Sequence, residues 1–289
     1  MHTRAIAGHD VGAIGLGAMP LSIDGRPPED RAVATIHAAL DAGVTLIDTA
    51  DAYALGADDV GHGEALIARA LRAYGDGAKD VMVATKGGHT RTADGAWELD
   101  GRPEHLRAAC EASLRRLETD AIDLYQFHRP GPDVPWAESV GAVAELLDEG
   151  KIRLAGVSNA DPDQIREAQD ILGGRLAAVQ NELSPRFRSS EPEVELCAQL
   201  GIAFLPWSPL GGISAAGDLG GEHAAFAEVA AERDVTPQQV CLAWLLAKAD
   251  VVIPIPGSSR PATIEASAAA ADLRLSAEEL ARLDLPRAG

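Results

Sequence analysis

Eight short runs of nearly unbroken apolar residues recur along this chain, each leading into the next through a stretch that can hold a helix. They are VGAIGLG (11–17), VTLID (44–48), VMVAT (81–85), IDLYQF (122–127), RLAGVS (153–158), AAVQNE (177–182), IAFLPW (202–207) and VVIPIP (251–256). Strands that lack alternation in this way are buried on both faces, the condition of a parallel sheet covered by helices. Prolines interrupt the seventh and eighth runs, so their limits are the least defined.

The intervening segments carry helix signals. Residues 29–42 place Val33, Ile36 and Leu40 on one face, and Gly43 supplies a stop. Residues 103–117 begin with Pro103 in the first turn and repeat Leu106, Cys110, Leu114 and Leu117; residues 138–149 carry Val140, Val143 and Leu147 ahead of Gly150. Asp161-Pro162 and Thr236-Pro237 each pair an N-cap with a first-turn proline, and Ser276 with Glu279 forms a capping box. Eight strand–helix units without a linker or composition break predict an α/β chain folded as a single-domain (β/α)8 TIM barrel over residues 1–289. The competing architecture is a doubly wound open sheet with a Gly-rich first βα turn, but GLGAMP after the first run supplies only GxG. Short loops after the fourth and seventh runs, with a tail of four residues beyond Leu285, predict an open barrel mouth.

A net charge of −19 excludes nucleic acid and anionic membrane surfaces as expected partners, because both would be repelled. Cys110, Cys197 and Cys241 are far apart, odd in number and without metal-ligand spacing, so they read as buried thiols in a reducing compartment. The N-terminus lacks the apolar core of a signal peptide, and no run reaches the ~18 apolar residues of a membrane helix. These features predict a cytoplasmic protein, monomeric or weakly self-associating.

Polar and ionisable side chains collect at the C-terminal ends of the apolar runs, where a parallel barrel builds its active site. Asp48 closes the second run and Tyr53 follows on a short loop; Lys86 closes the third, and His128 the fourth. A phenol with an ordinary pKa near ~10 is a poor proton donor at neutral pH. A neighbouring cation such as Lys86 would lower it, Asp48 would hold Lys86 charged, and His128 would hydrogen-bond a carbonyl oxygen. Further round, Ser158, Asn159, Gln180 and Asn181 offer amides and a hydroxyl, while Trp207, Ser208, Leu210 and Gly211 offer an aromatic face and backbone N–H groups. Gly257, Ser258, Ser259 and Arg260 stand ahead of a helix at 261–271 and read as a phosphate cradle.

In these motifs the chain resembles the aldo-keto reductases. IDTADAY, ATKGG, DLYQFHRP, LAGVSN, VQNELS, PWSPLGG and IPIPGSSRP occur in the family's order and span nearly the whole chain. The resemblance implies reduction of an aldehyde or ketone by a nicotinamide cofactor, with Tyr53 as general acid, Lys86 lowering its pKa, Asp48 paired with Lys86 and His128 orienting the carbonyl. It also implies that Ser158, Asn159 and Gln180 hold the nicotinamide carboxamide and that Trp207 replaces the usual tyrosine or phenylalanine stacked on the ring. Glu265 and Ser267 fall where many members present Glu and Asn to the adenine. Arg260 and Ser258 favour NADPH through its 2′-phosphate, but no second basic residue supports Arg260, which leaves NADH as the alternative. Loop residues Arg129, Trp136, Arg186, Phe187 and Arg188 are candidates for the substrate side, with a pyridoxal-type or sugar aldehyde among the possible substrates. The rival readings are Schiff-base chemistry on Lys86 and a non-catalytic, cofactor-sensing partner protein.

Overall fold

The computed structural model describes residues 1–284, so the expectation about the tail beyond Leu285 lies outside the described residues. Seven parallel strands follow one another in chain order round a curled sheet: Leu16–Gly17, Leu46–Asp48, Met82–Gly87, Ile122–Phe127, Ile152–Ser158, Leu176–Gln180 and Ala203–Phe204. Residues 251–256 close the ring. On one side Phe204 N donates to Val251 O and Ile253 N to Phe204 O, both at 2.8 Å; on the other, Gly15 N and Gly17 N donate to Pro254 O and Pro256 O at 2.9 and 3.0 Å. Pro254 and Pro256 have no N–H to return, and a parallel bridge of Gly17 with Gly257 completes the link between the eighth strand and the first. The fold is a (β/α)8 barrel.

The first run departs from expectation. Its front half belongs to an N-terminal hairpin, Thr3–Ile6 paired with His9–Gly12, and only Leu16–Gly17 joins the barrel. Ala7 and Gly8 turn the hairpin with φ of 48° and 84°, the left-handed pair a tight two-residue turn requires. The hairpin delivers Ile6 and Val11 into an apolar layer with Leu46, Met82, Leu124, Ala203 and Ile253, residues at or near the starts of the strands. The bottom of the barrel is thereby filled.

Helices form where the capping chemistry places them. Asp161 accepts from the N–H groups of Asp163 and Gln164, and Gln164 returns a bond to Asp161 N, opening the helix Pro162–Ile171 directly behind Asn159. Thr236 and Ser276 form the same reciprocal boxes ahead of Pro237–Leu246 and Ala277–Asp284. Two loops at the C-terminal ends of the strands are larger than the open-mouth expectation allows. After the third strand a hairpin, His89–Arg91 with Trp97–Leu99, stands over the mouth. After the seventh, residues 208–223 carry the short helices Ala216–Asp218 and Leu219–Glu222, so this loop is not short. The mouth is walled on two sides. Among the described residues no helix is long and apolar enough to cross a membrane.

Candidate active site

Strand alternation sets one polar layer above the apolar filling of the barrel. Leu46, Ala84, Leu124 and Ala178 belong to the interior layer, and the residues two positions later on the same strands are Asp48, Lys86, Gln126 and Gln180. All four are buried and joined. Lys86 Nζ donates to Asp48 Oδ2 at 2.6 Å, to Thr49 O at 2.8 Å and to Tyr53 Oη at 3.2 Å. Asp48 Oδ1 accepts from Gln180 Nε2 at 2.8 Å and Gln126 Nε2 at 3.2 Å. A buried carboxylate and ammonium are stable together only when the rest of their hydrogen-bonding capacity is filled, and the two glutamines complete that condition for Asp48. Gln126 was not singled out in the sequence; its signal is its place two residues before His128, on the same face of the fourth strand.

The electrostatics correct one expectation. Burial pushes the Tyr53 phenol upward; Lys86 pulls it down, but Asp48 and Asp51 push the other way, and the net shift is above its ordinary value. Tyr53 therefore rests as a neutral acid and not as a phenol poised near neutrality. Burial on its own would lower Lys86, yet the adjoining Asp48 carboxylate and Tyr53 oxygen raise it, so the amine stays an ammonium. An ammonium hydrogen-bonded to three oxygens is a poor Schiff-base nucleophile, which disfavours that rival reading. His128 is lowered well below its usual value by burial and by Lys86, His89 and Arg129, so its imidazole is neutral. Asp51, in the same DTADAY segment, points elsewhere: burial and Glu64 raise its carboxyl, while Glu64 itself bonds Thr85 and Arg116.

These groups face a cavity of about 390 Å³ lined by Asp48, Tyr53, His128, Ser158, Asn159, Gln180, Trp207, Ser208, Leu210 and Gly257 among the anticipated residues. Gly17, Met19, Pro20, His89, Trp97, Arg129, Ile213 and Ile255 also line it. His89 and Trp97 come from the unforeseen hairpin, and Ile213 from the long seventh loop. Ser158 Oγ donates to Gln180 O at 2.7 Å and accepts from Asn159 Nδ2 at 2.9 Å; Asn159 Nδ2 also reaches His128 O at 3.0 Å. Asn159 holds φ at 57°, a left-handed conformation that asparagine tolerates better than most residues. With these donors engaged, the open capacity of Asn159 Oδ1 and Gln180 Oε1 is for accepting N–H groups, which suits a carboxamide. Among the described residues Trp207 Nε1 is buried in the wall without a hydrogen-bonding partner, a donor that a polar ligand would satisfy. The residues present fit a nicotinamide group.

The other anticipated positions divide. Gly211 and its neighbour Gly212 both have positive φ at the turn of the seventh loop; Gly212 lines the cavity and Gly211 does not. Ser258 is buried and its hydroxyl donates to Arg260 O at 2.9 Å, so that donor is engaged within the loop ahead of the helix Pro261–Ala269 and is not free for a phosphate. Ser259 is half-buried, Arg260 and Glu265 are exposed, and Ser267 is buried. Of the substrate-side candidates only Arg129 lines the cavity, where it donates to Asn159 Oδ1 at 2.9 Å. Trp136 packs on Phe127 and bonds Gln164 O, Arg186 faces Glu222 at 3.4 Å, and Arg188 bonds Leu283 O and Asp284 O at a helix C-terminus. Phe187 is exposed outside the cavity.

A parallel barrel carrying a buried acid–ammonium–carboxylate cluster at its C-terminal mouth defines an oxidoreductase of the carbonyl-reducing type. Residues 13–285 match the model of the aldo/keto reductase family, and the chain belongs to that family. An uncharacterized oxidoreductase from Schizosaccharomyces pombe is 36% identical over 278 residues, 95% of this chain and 86% of that protein. Among solved structures, the glycerol dehydrogenase of Gluconobacter oxydans superposes with a TM-score of 0.83 at 29% identity, covering 98% of this chain and 94% of the other. An aldo/keto reductase from Klebsiella pneumoniae, in complex with NADP and acetate, superposes with a TM-score of 0.80 at 30% identity, covering 98% and 95%.

Proposed function

We propose that this protein is an NADPH-preferring reductase of aldehydes and ketones, working as one barrel domain with Tyr53 as the proton donor. One observation carries the reading: a buried phenol bonded at 3.2 Å to a buried ammonium, itself paired at 2.6 Å with a carboxylate, on the wall of a ligand-sized cavity. NADPH, when bound, supplies the hydride. The Tyr53 hydroxyl donates to the carbonyl oxygen and releases its proton as negative charge gathers there. Lys86 then stabilises the phenolate, so its attraction acts most strongly after the proton has left. Neutral His128 donates to the same oxygen and fixes its direction, and Asp48 keeps Lys86 charged and aimed. Asn159 and Gln180 would accept from the carboxamide, Ser158 braces both, and Trp207, with Ser208 and Leu210, would hold the ring. Arg260 and Glu265 remain the exposed polar groups for the adenosine end, with Gly257 at the cavity rim.

The relative from Klebsiella pneumoniae supports the cofactor assignment, because it binds NADP on the same fold. Replacing Tyr53 with Phe is expected to lower kcat for carbonyl reduction by roughly a hundred- to ten-thousand-fold. NADPH binding, followed by fluorescence titration, should be retained. Turnover near that of the unaltered protein would remove Tyr53 from its role.

A further inference from the structure

His89 is not part of the group that meets the carbonyl oxygen, yet it stands beside that group in the cavity wall. Its Nδ1 lies 3.2 Å from Glu98 O across the loop hairpin. A carbonyl oxygen only accepts, so this contact places the ring proton on Nδ1. Nε2 then carries a lone pair, and among the described residues it has no hydrogen-bonding partner. Burial, together with the cations Arg129, Lys86 and Arg91, lowers the pKa of His89 to about 4, so the ring stays neutral.

The ring is also held in place. His89 and His128 meet edge to face with centroids 4.3 Å apart, and Trp97 braces His89 at 5.5 Å. The Arg91 guanidinium lies 3.9 Å over the Trp97 ring and steadies that brace in turn. A donor meant for the carbonyl oxygen and a fixed acceptor are thus set side by side. An α-hydroxy carbonyl compound has the matching pair, an accepting carbonyl oxygen and a donating hydroxyl on adjacent carbons. A substrate lacking that hydroxyl would leave the lone pair of Nε2 against an apolar group.

We propose that His89 is a specificity-determining residue, its Nε2 accepting a hydrogen bond from the α-hydroxyl, and that the substrates are α-hydroxy aldehydes and ketones. The inference rests on the reductase reading above. Its test compares kcat/KM for 2-hydroxypropanal, 3-hydroxypropanal and propanal in the unaltered protein, His89→Leu and His89→Gln. The unaltered protein should favour 2-hydroxypropanal over both others by about tenfold. His89→Leu should abolish that ratio, and His89→Gln, whose amide oxygen restores an acceptor, should retain part of it. Comparing ratios between variants cancels both the differing hydration of the aldehydes and any loss of folded protein. A ratio unchanged in His89→Leu overturns the assignment and leaves the reductase reading standing. A preference for 3-hydroxypropanal also overturns it, since the hydroxyl is then read from the wrong carbon. If none of the three shows turnover that depends on Tyr53, the reductase reading fails and the inference fails with it.

Discussion

The proposed role asks Tyr53 to be an acid in a place that makes acids weaker. Burial and two nearby carboxylates hold its proton on, and one ammonium at 3.2 Å favours letting it go. The balance leaves a neutral phenol, which in the proposed reduction would give up its proton only as an alkoxide develops. The sign of the pH dependence follows. The proposed reduction needs protonated Tyr53 and its pKa is raised, so kcat/KM should be level through neutral pH and fall only in the alkaline range, above the ordinary ~10 of a phenol. His128 is lowered, so its neutral form persists and should add no break between pH 6.5 and 8. A pH–rate profile with saturating cofactor checks both, and an alkaline fall centred near neutrality would contradict the site's electrostatics. The four residues at successive strand ends were legible in the sequence because a parallel barrel gives strand ends a fixed meaning. The direction of the Tyr53 shift was not legible, because it depends on how deeply the phenol is buried and on Asp51, whose separation in space the sequence does not state. Gln126 was hidden for a related reason: only strand register aims it at Asp48.

At the scale of elements, caps and turns follow local rules and were readable, whereas insertions had to be seen. Asp161, Thr236 and Ser276 all cap as their sequences require. The hairpin after the third strand and the helical loop after the seventh contain no strong periodicity, so their contribution to the cavity wall was missed. The start of the helix Pro261–Ala269 is intermediate. Pro261 has no N–H, and Thr263 N and Ile264 N donate back to Arg260 O, so few backbone donors remain for a phosphate. Ser258 is engaged as well, which leaves the exposed Arg260 side chain with most of any preference for the 2′-phosphate. Arg260→Ala should therefore weaken NADPH by roughly ten- to a hundredfold, the scale of a charge-assisted hydrogen bond, and change NADH by far less. Dissociation constants for both cofactors, measured at one ionic strength, decide it; equal losses would take the phosphate away from Arg260.

For the whole molecule, the barrel divides its labour along its axis. The C-terminal mouth carries the polar layer, the cavity and the larger loops, while the bottom is sealed by the N-terminal hairpin. The eightfold alternation made the barrel legible. The hairpin was not, because its second strand is continuous in sequence with the first apolar run, and Ala7 at its turn lacks the usual asparagine or glycine signal. Arg4 ties the hairpin down by donating to the carbonyl oxygens of Leu246, Ala249 and Val252, at the approach to the eighth strand. Ile6 is fully buried in the interior layer beneath Asp48 and Lys86 but touches neither the cavity nor its loops. Truncating it removes buried methyl groups from a ring of strands that cannot close inwards independently, so Ile6→Ala should destabilise the protein by about 2–5 kcal/mol. The polar layer above is fixed by its own hydrogen bonds, so the variant's kcat and KM for a carbonyl substrate, assayed well below its melting temperature, should match those of the unaltered protein. Urea unfolding alongside steady-state kinetics separates the two effects. A raised KM with unchanged stability would mean that the bottom of this barrel reaches the site.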